Sequence, residues 1–306
     1  MQNTQTDQAD QKTVYNKRGR FRPNRNLRMI IGVIIITGIL IALFKTGMFD
    51  AADKSSIITY ASDSKTGYRS YGNGYIQYTK DGAKFFTKSG KQEWNDPYVM
   101  TSPIVSQKGD YTAVFETGGR SVRVYNERGI VYNIQTEDPV QSTAVSECGY
   151  IGVITYGDSY SVSVYSTSGS LIFQRIEAES GVSPLCCDIS PDGEVVAIAY
   201  VDTTGAEINA KIGLFYVDAQ KGAEYADSMY AAVEKKEEIV FALYFISNND
   251  FIAVGDRNVA AISSAGTEDW SVEVTNEILG AGLCGDQLAM VYGDELPDKD
   301  GQDSGT

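Results

Sequence analysis

The chain has 306 residues, 42% of them hydrophobic, and 26 Lys and Arg against 40 Asp and Glu give it a net charge of −14. That apolar share is ordinary for a globular protein and excludes a polytopic membrane protein. Histidine is absent, which removes Ser-His-Asp and Cys-His catalysis, histidine metal ligands and the usual general base near neutral pH.

Residues 1–28 read as a basic cytoplasmic tail ending in Lys17, Arg18, Arg20, Arg22, Arg25 and Arg28. An uncharged run follows, carried by Met29, Ile30, Ile31, Val33, Ile34, Ile35, Ile36, Ile39, Leu40, Ile41, Leu43 and Phe44. As a helix, positions 29–44 span about 24 Å, short of a hydrocarbon core of about 30 Å. The gap closes if Lys45 snorkels and Thr46–Phe49 continue the helix. A buried core helix would show a polar face, and this run has none. A cleaved signal peptide needs small residues at −3 and −1, but the candidate sites place Asp50 or Phe49 at −3. The run at 29–49 is therefore expected to be an uncleaved signal-anchor. The positive-inside rule keeps the tail in the cytoplasm and exports the remainder, so the lipid bilayer is a partner. The tail can also touch anionic headgroups.

Charge follows this division. The tail holds seven Lys and Arg and two Asp, a net +5, which leaves −19 after Arg28. An acidic exterior repels nucleic acid and suits basic partners or divalent cations, although solubility alone accounts for it. Cys148, Cys186, Cys187 and Cys284 match no zinc spacing. Export permits disulfides without requiring them. Adjacent Cys186 and Cys187 point to opposite faces of a strand, so at most one faces any given partner.

Residues 50–292 repeat. A turn leading into an apolar strand recurs at Ser106–Val114, Ser146–Ile154, Ser190–Ile198, Ser247–Val254 and, more weakly, Cys284–Val291. An alternating strand ending in a turn glycine trails each, at Ala83–Gly90, Val122–Gly129, Val162–Gly169, Ile212–Gly222 and Val259–Gly266. Those glycines stand 39, 40, 53 and 44 residues apart, near the 40–45 residues or so of a four-stranded propeller blade. The fold class is thus all-β, a β-propeller with WD40/YVTN-like blades. In the third strand Val122 and Val124 are expected inward, with Arg123 and Tyr125 outward. The long unit carries a hairpin loop at Asp202–Asn209 and a polar, partly helical excursion at Ala223–Glu238. A β-sandwich also has short strands, but it does not repeat one two-part pattern in register. Five units and the start of a sixth are recognisable. The ring stays incomplete unless Lys54–Arg69 supplies closing strands or the chain is a truncated form of something longer. Residues 293–306 have the composition of an acidic disordered tail.

The arginine-rich tail, the single helix and the blades together resemble the bacterial "domain of unknown function 5711" proteins. The motifs that carry the likeness are Glu137-Asp-Pro139, Ser190-Pro-Asp-Gly193, Ala197–Asp202, Ala210–Tyr216 and Phe251–Asp256. The resemblance covers nearly all of residues 20–292 and implies a membrane-anchored propeller. It implies no activity.

Candidate chemistry is sparse. Among 40 acidic residues chance carboxylate pairs are expected, and none is singled out for glycoside cleavage. Asp298–Asp303 is calcium-loop-like but lacks the glutamate that closes such a loop. Trp94 and Trp270 each follow a blade glycine by four residues. This resembles the tryptophan-docking pattern of quinoprotein-type propellers, but the polar and metal-ligating set that such enzymes need is not found, and Trp94 and Trp270 are expected to pack between neighbouring blades. Asp192-Gly193 reads as a turn signal. Twenty tyrosines suit both strands and binding surfaces. No catalytic, cofactor or metal residues are nominated. The leading expectation is a non-enzymatic protein-interaction or scaffold module, with a protein partner outside the membrane. The alternatives are a propeller that binds cell-envelope carbohydrate or senses a small molecule, and a quinoprotein-like enzyme.

Overall fold

The computed structural model describes residues 36–37, 66–284 and 287–295. The basic tail, the anchor apart from the helical Ile36 and Thr37, and residues 296–306 lie outside the described residues. Among the described residues no helix is long and apolar enough to cross a membrane. All the strands belong to the unit Ile58–Thr306.

Strands follow one another as antiparallel meanders. The first blade is β1 (Gly67–Tyr71), β2 (Gly74–Thr79), β3 (Gly82–Thr87) and β4 (Gln92–Pro97). The second is β5 (Ile104–Lys108), β6 (Tyr111–Phe115), β7 (Ser121–Asn126) and β8 (Gly129–Gln135). The third is β9 (Val140–Val145), β10 (Ile151–Tyr156), β11 (Tyr160–Tyr165) and β12 (Leu171–Glu177). The fourth is β13 (Val182–Ile189), β14 (Val195–Asp202), β15 (Asn209–Tyr216) and β16 (Met229–Lys235). The fifth is β17 (Val240–Phe245), β18 (Asp250–Gly255), β19 (Asn258–Ser263) and β20 (Glu268–Glu273). A two-stranded hairpin, β21 (Asn276–Cys284) with β22 (Gln287–Glu295), begins a sixth. β22 runs three residues past Tyr292 into the stretch read as tail.

Serine and glycine set the turns. The Ser190 hydroxyl accepts the Val195 N–H at 3.0 Å and donates to the Asp192 carboxylate at 2.6 Å, while that carboxylate takes the Glu194 N–H at 3.0 Å. Gly193 then turns the chain at φ 75°, where a side chain is strained. A Cβ there would also lie 2.3 Å from the Tyr150 ring of the preceding blade. The glycine thus serves both the turn and the packing of one blade on the next.

The core lies between blades, not within one central volume. Five apolar clusters separate successive sheets, from Phe85 and Tyr125 between the first two to Val254 and Ile278 between the fifth and the hairpin. Both faces of a blade are therefore covered, which corrects the expectation for Tyr125. It is fully buried and stacks on Trp94 at 5.1 Å, while Trp94 Nε1 donates to the Glu127 carbonyl at 3.0 Å. Trp270 departs from its twin. All of β20 is exposed, and Trp270 is 49% accessible, since among the described residues the hairpin has two strands and no third for it to stack on. A second correction concerns the excursion. It is confined to a one-turn helix α1 (Ala219–Gly222) and a 3₁₀ turn at Ala226–Ser228, and Met229–Lys235 resumes as the outer strand. Cys186 and Cys187 divide as their alternation requires, toward the clusters on opposite sides of the fourth blade.

Candidate functional site: a pinned channel and a tyrosine groove

The innermost strands β5, β9, β13 and β17 enclose a cavity of about 270 Å³ lined by Ser106, Lys108, Thr143, Cys186, Asp188 and Tyr244. Its polar groups face one another. Lys108 Nζ donates to Asp188 Oδ2 at 2.8 Å, and the same oxygen accepts the Phe245 N–H at 2.6 Å. One buried carboxylate thus ties the second, fourth and fifth blades together. Burial pushes the Asp188 carboxyl up, and Lys108 and the backbone N–H groups pull it back only in part. The Ser106 hydroxyl donates to the Thr143 carbonyl at 2.9 Å, joining the second and third blades. The Tyr244 hydroxyl donates to the Ala281 carbonyl at 2.8 Å, joining the fifth blade to the hairpin. Cys148, Cys186 and Cys187 are free thiols. Burial pushes the Cys187 thiol up to about 12 and raises that of Cys186 too, so neither is an active nucleophile near neutral pH.

A second cavity, of about 410 Å³, opens between the fourth and fifth blades on the face that carries the Ser190–Gly193 turn. Tyr216 and Tyr230 on its wall flank the insertion between β15 and β16. Asp218 caps α1 by accepting the Gln220 and Lys221 N–H groups at 2.9 Å. This turn sends Lys221 back toward the Glu194 carboxylate, 2.7 Å away, and over the Tyr216 ring at 5.8 Å from its centroid. The chain then passes through left-handed Asp227 and Ser228, where Arg175 Nη1 donates to the Asp227 carbonyl at 2.8 Å. Tyr230 emerges stacked on Tyr216 at 4.2 Å, with Tyr225 5.8 Å and 6.0 Å from the two rings. The Tyr230 hydroxyl donates to the Ser264 carbonyl at 2.6 Å, fastening this wall to the fifth blade. Opposite, Asn248 Oδ1 accepts the Asp192 N–H at 3.1 Å, and Asn249 lines the floor.

The sequence reading nominated none of these groove residues. Asp192 was read as a turn residue, and it serves the turn and the groove at once. The available signal was three tyrosines within 15 residues of the long insertion, at 216, 225 and 230. Other charged contacts are structural. Arg123 forks onto Asp96 at 2.9 Å and 2.7 Å and holds the second blade to the first. Among the described residues no group of three or more Asp, Glu, His or Cys could hold a metal ion.

Comparison with known proteins follows the geometry. Hsv2 of Kluyveromyces lactis superposes with a TM-score of 0.51 at 11% identity, over 71% of this chain and 77% of that one. Hydrazine synthase of Kuenenia stuttgartiensis superposes with a TM-score of 0.51 at 13% identity, over 78% of this chain and 76% of that one. At such identities the likeness shows the β-propeller fold alone. None of the curated proteins matches the chain. The model of one family of unknown function, DUF5711, matches residues 45–302, and the chain belongs to that family.

Proposed function

We propose that this protein is a non-enzymatic recognition module, held at the outer face of a membrane by its N-terminal helix and engaging a protein partner there. The β-propeller fold is one on which protein-interaction modules are commonly built, an argument from analogy. One observation carries the reading further. The one carboxylate that lines the channel among the described residues is consumed by contacts between blades, whereas asparagine amides, tyrosine rings and an exposed ion pair stand at a rim groove. The charge division on either side of the apolar run supports the orientation. An exterior of −19 favours a basic partner over nucleic acid.

Crosslinking of the full chain in its native membrane tests the module. One stoichiometric partner is expected, and repeated recovery of none beside turnover of a metabolite would overturn the reading. Orientation has an internal reporter, because Cys148 is an exposed free thiol. A maleimide that cannot cross membranes should label it in intact cells and should label the Cys148→Ser variant less. Labelling of Cys148 only after lysis reverses the topology.

A further inference from the structure

We propose that the groove between the fourth and fifth blades receives an arginine or lysine side chain of the partner, with Lys221 occupying the place of that cation in the free molecule. This rests on the recognition reading above and names what is recognised.

An ammonium already stands beside two lining residues of the groove, Glu194 and Tyr216. Lys221 Nζ lies 5.8 Å from the Tyr216 ring centroid and 2.7 Å from Glu194 Oε2, the pairing of ring face and carboxylate that a cation seeks. The Lys221 and Glu194 side chains are 52% and 58% exposed, so water competes for both and the pair exchanges partners readily. Asp192 also lines the groove, with its Oδ1 held by the Ser190 hydroxyl and the Glu194 N–H. An incoming cation therefore finds the Glu194 carboxylate once Lys221 swings out. A guanidinium meets both the planar fork of a carboxylate and the face of a ring, which favours arginine over lysine. The Asn248 and Asn249 amides line the opposite wall and offer bonds to the partner's backbone. The field of a −19 exterior draws such a segment toward the groove.

The geometry disfavours one other occupant. A bare divalent cation needs several ligands together, and among the described residues no such group of three exists.

The test uses the full chain in detergent micelles and fluorescein-labelled peptides of four arginines spaced by glycine, with lysine and citrulline counterparts. At physiological salt, anisotropy should rank arginine above lysine and both well above citrulline. Tyr216→Leu, and the more exposed Tyr225→Leu as a second variant, should each weaken the arginine peptide about fivefold. Lys221→Gln should tighten it about threefold by removing the resident cation. Lys91→Gln makes the same charge change in the first blade and should leave affinity unaltered. Equal binding of citrulline, equal effects of Lys221→Gln and Lys91→Gln, or wild-type affinity in both folded tyrosine variants would each overturn the proposal. So would competition by neutral chitotetraose at the groove. If the tyrosine variants still crosslink the wild-type partner in full, this inference fails while the module reading stands.

Discussion

Two lysine–carboxylate pairs of nearly equal length sit at opposite extremes of burial. Lys108–Asp188 closes at 2.8 Å inside the channel, with side chains 16% and 5% exposed, whereas Lys221–Glu194 closes at 2.7 Å on a rim more than half open to water. Distance alone makes them equivalents. Solvent makes the first a fixed joint, because neither charge has anywhere else to go. It makes the second exchangeable, because water can replace either partner. In this propeller the interior polar groups hold blades together, and the exchangeable pair sits on the rim.

The comparison breaks most sharply at Asp188. Asp188→Ala strands the Lys108 ammonium and leaves the Phe245 N–H without its acceptor. The expected loss is about 3–5 kcal/mol, the usual cost of an uncompensated buried charge. Asp188→Asn keeps an acceptor for the N–H and should lose less. Urea unfolding of the full chain in micelles, followed by circular dichroism, measures both. A loss for Asp188→Ala as small as that for Glu194→Gln would show that the channel pair is no joint.

Glycines allow a finer contrast of the same kind. Gly193 and Gly118 both sit at positive φ, 75° and 82°. A Cβ on Gly118 meets nothing within 4 Å, while one on Gly193 meets the Tyr150 ring at 2.3 Å. Gly118→Ala should cost about 1 kcal/mol, from backbone strain alone. Gly193→Ala should cost about 2 kcal/mol, the excess coming from the clash. That excess should shrink in the Tyr150→Ala background, which a double-mutant cycle reads directly. Equal costs at the two glycines would remove Gly193 from the contact between blades.

Much of the fold was legible because a propeller repeats its chemistry locally. Alternating strands and hydroxyl-to-glycine turns recur at a blade's spacing, so the repeating order of strands within a blade follows from pattern. The misreadings share a physical source. Tyr125 was placed outward by a rule for sheets with one wet face, but here a neighbouring blade covers the other face. Met229–Lys235 has two alanines, a single β-branched residue and a charged C-terminal end, so its own pattern does not set it apart from the excursion. The groove was illegible for a different reason. Its residues come from three turns and the ends of strands, spread over positions 192 to 265, and no local period connects them. Only the tyrosines of the insertion lie close enough in sequence to have been noticed together.

The smallest effect sought is the one that compares like with like most directly. Trp94 and Trp270 occupy the same place in the repeat, four residues past a blade glycine. Trp94 stacks on Tyr125 and donates to the Glu127 carbonyl, whereas Trp270 is 49% exposed. Trp94→Phe keeps an aromatic ring but leaves that carbonyl without its donor, so about 1–2 kcal/mol should be lost. Trp270→Phe gives up no such bond and should stay within about 0.5 kcal/mol of the parent. The two are the only tryptophans, so each variant also isolates the emission of the other. In Trp94→Phe the remaining Trp270 should emit toward the red and be quenched readily by iodide. In Trp270→Phe the stacked Trp94 should emit toward the blue and resist iodide. A shielded Trp270 in the membrane-extracted full chain would mean that another surface covers β20 in the native protein. The two tryptophans would then be equivalent after all, both packed between neighbours as the repeat implies.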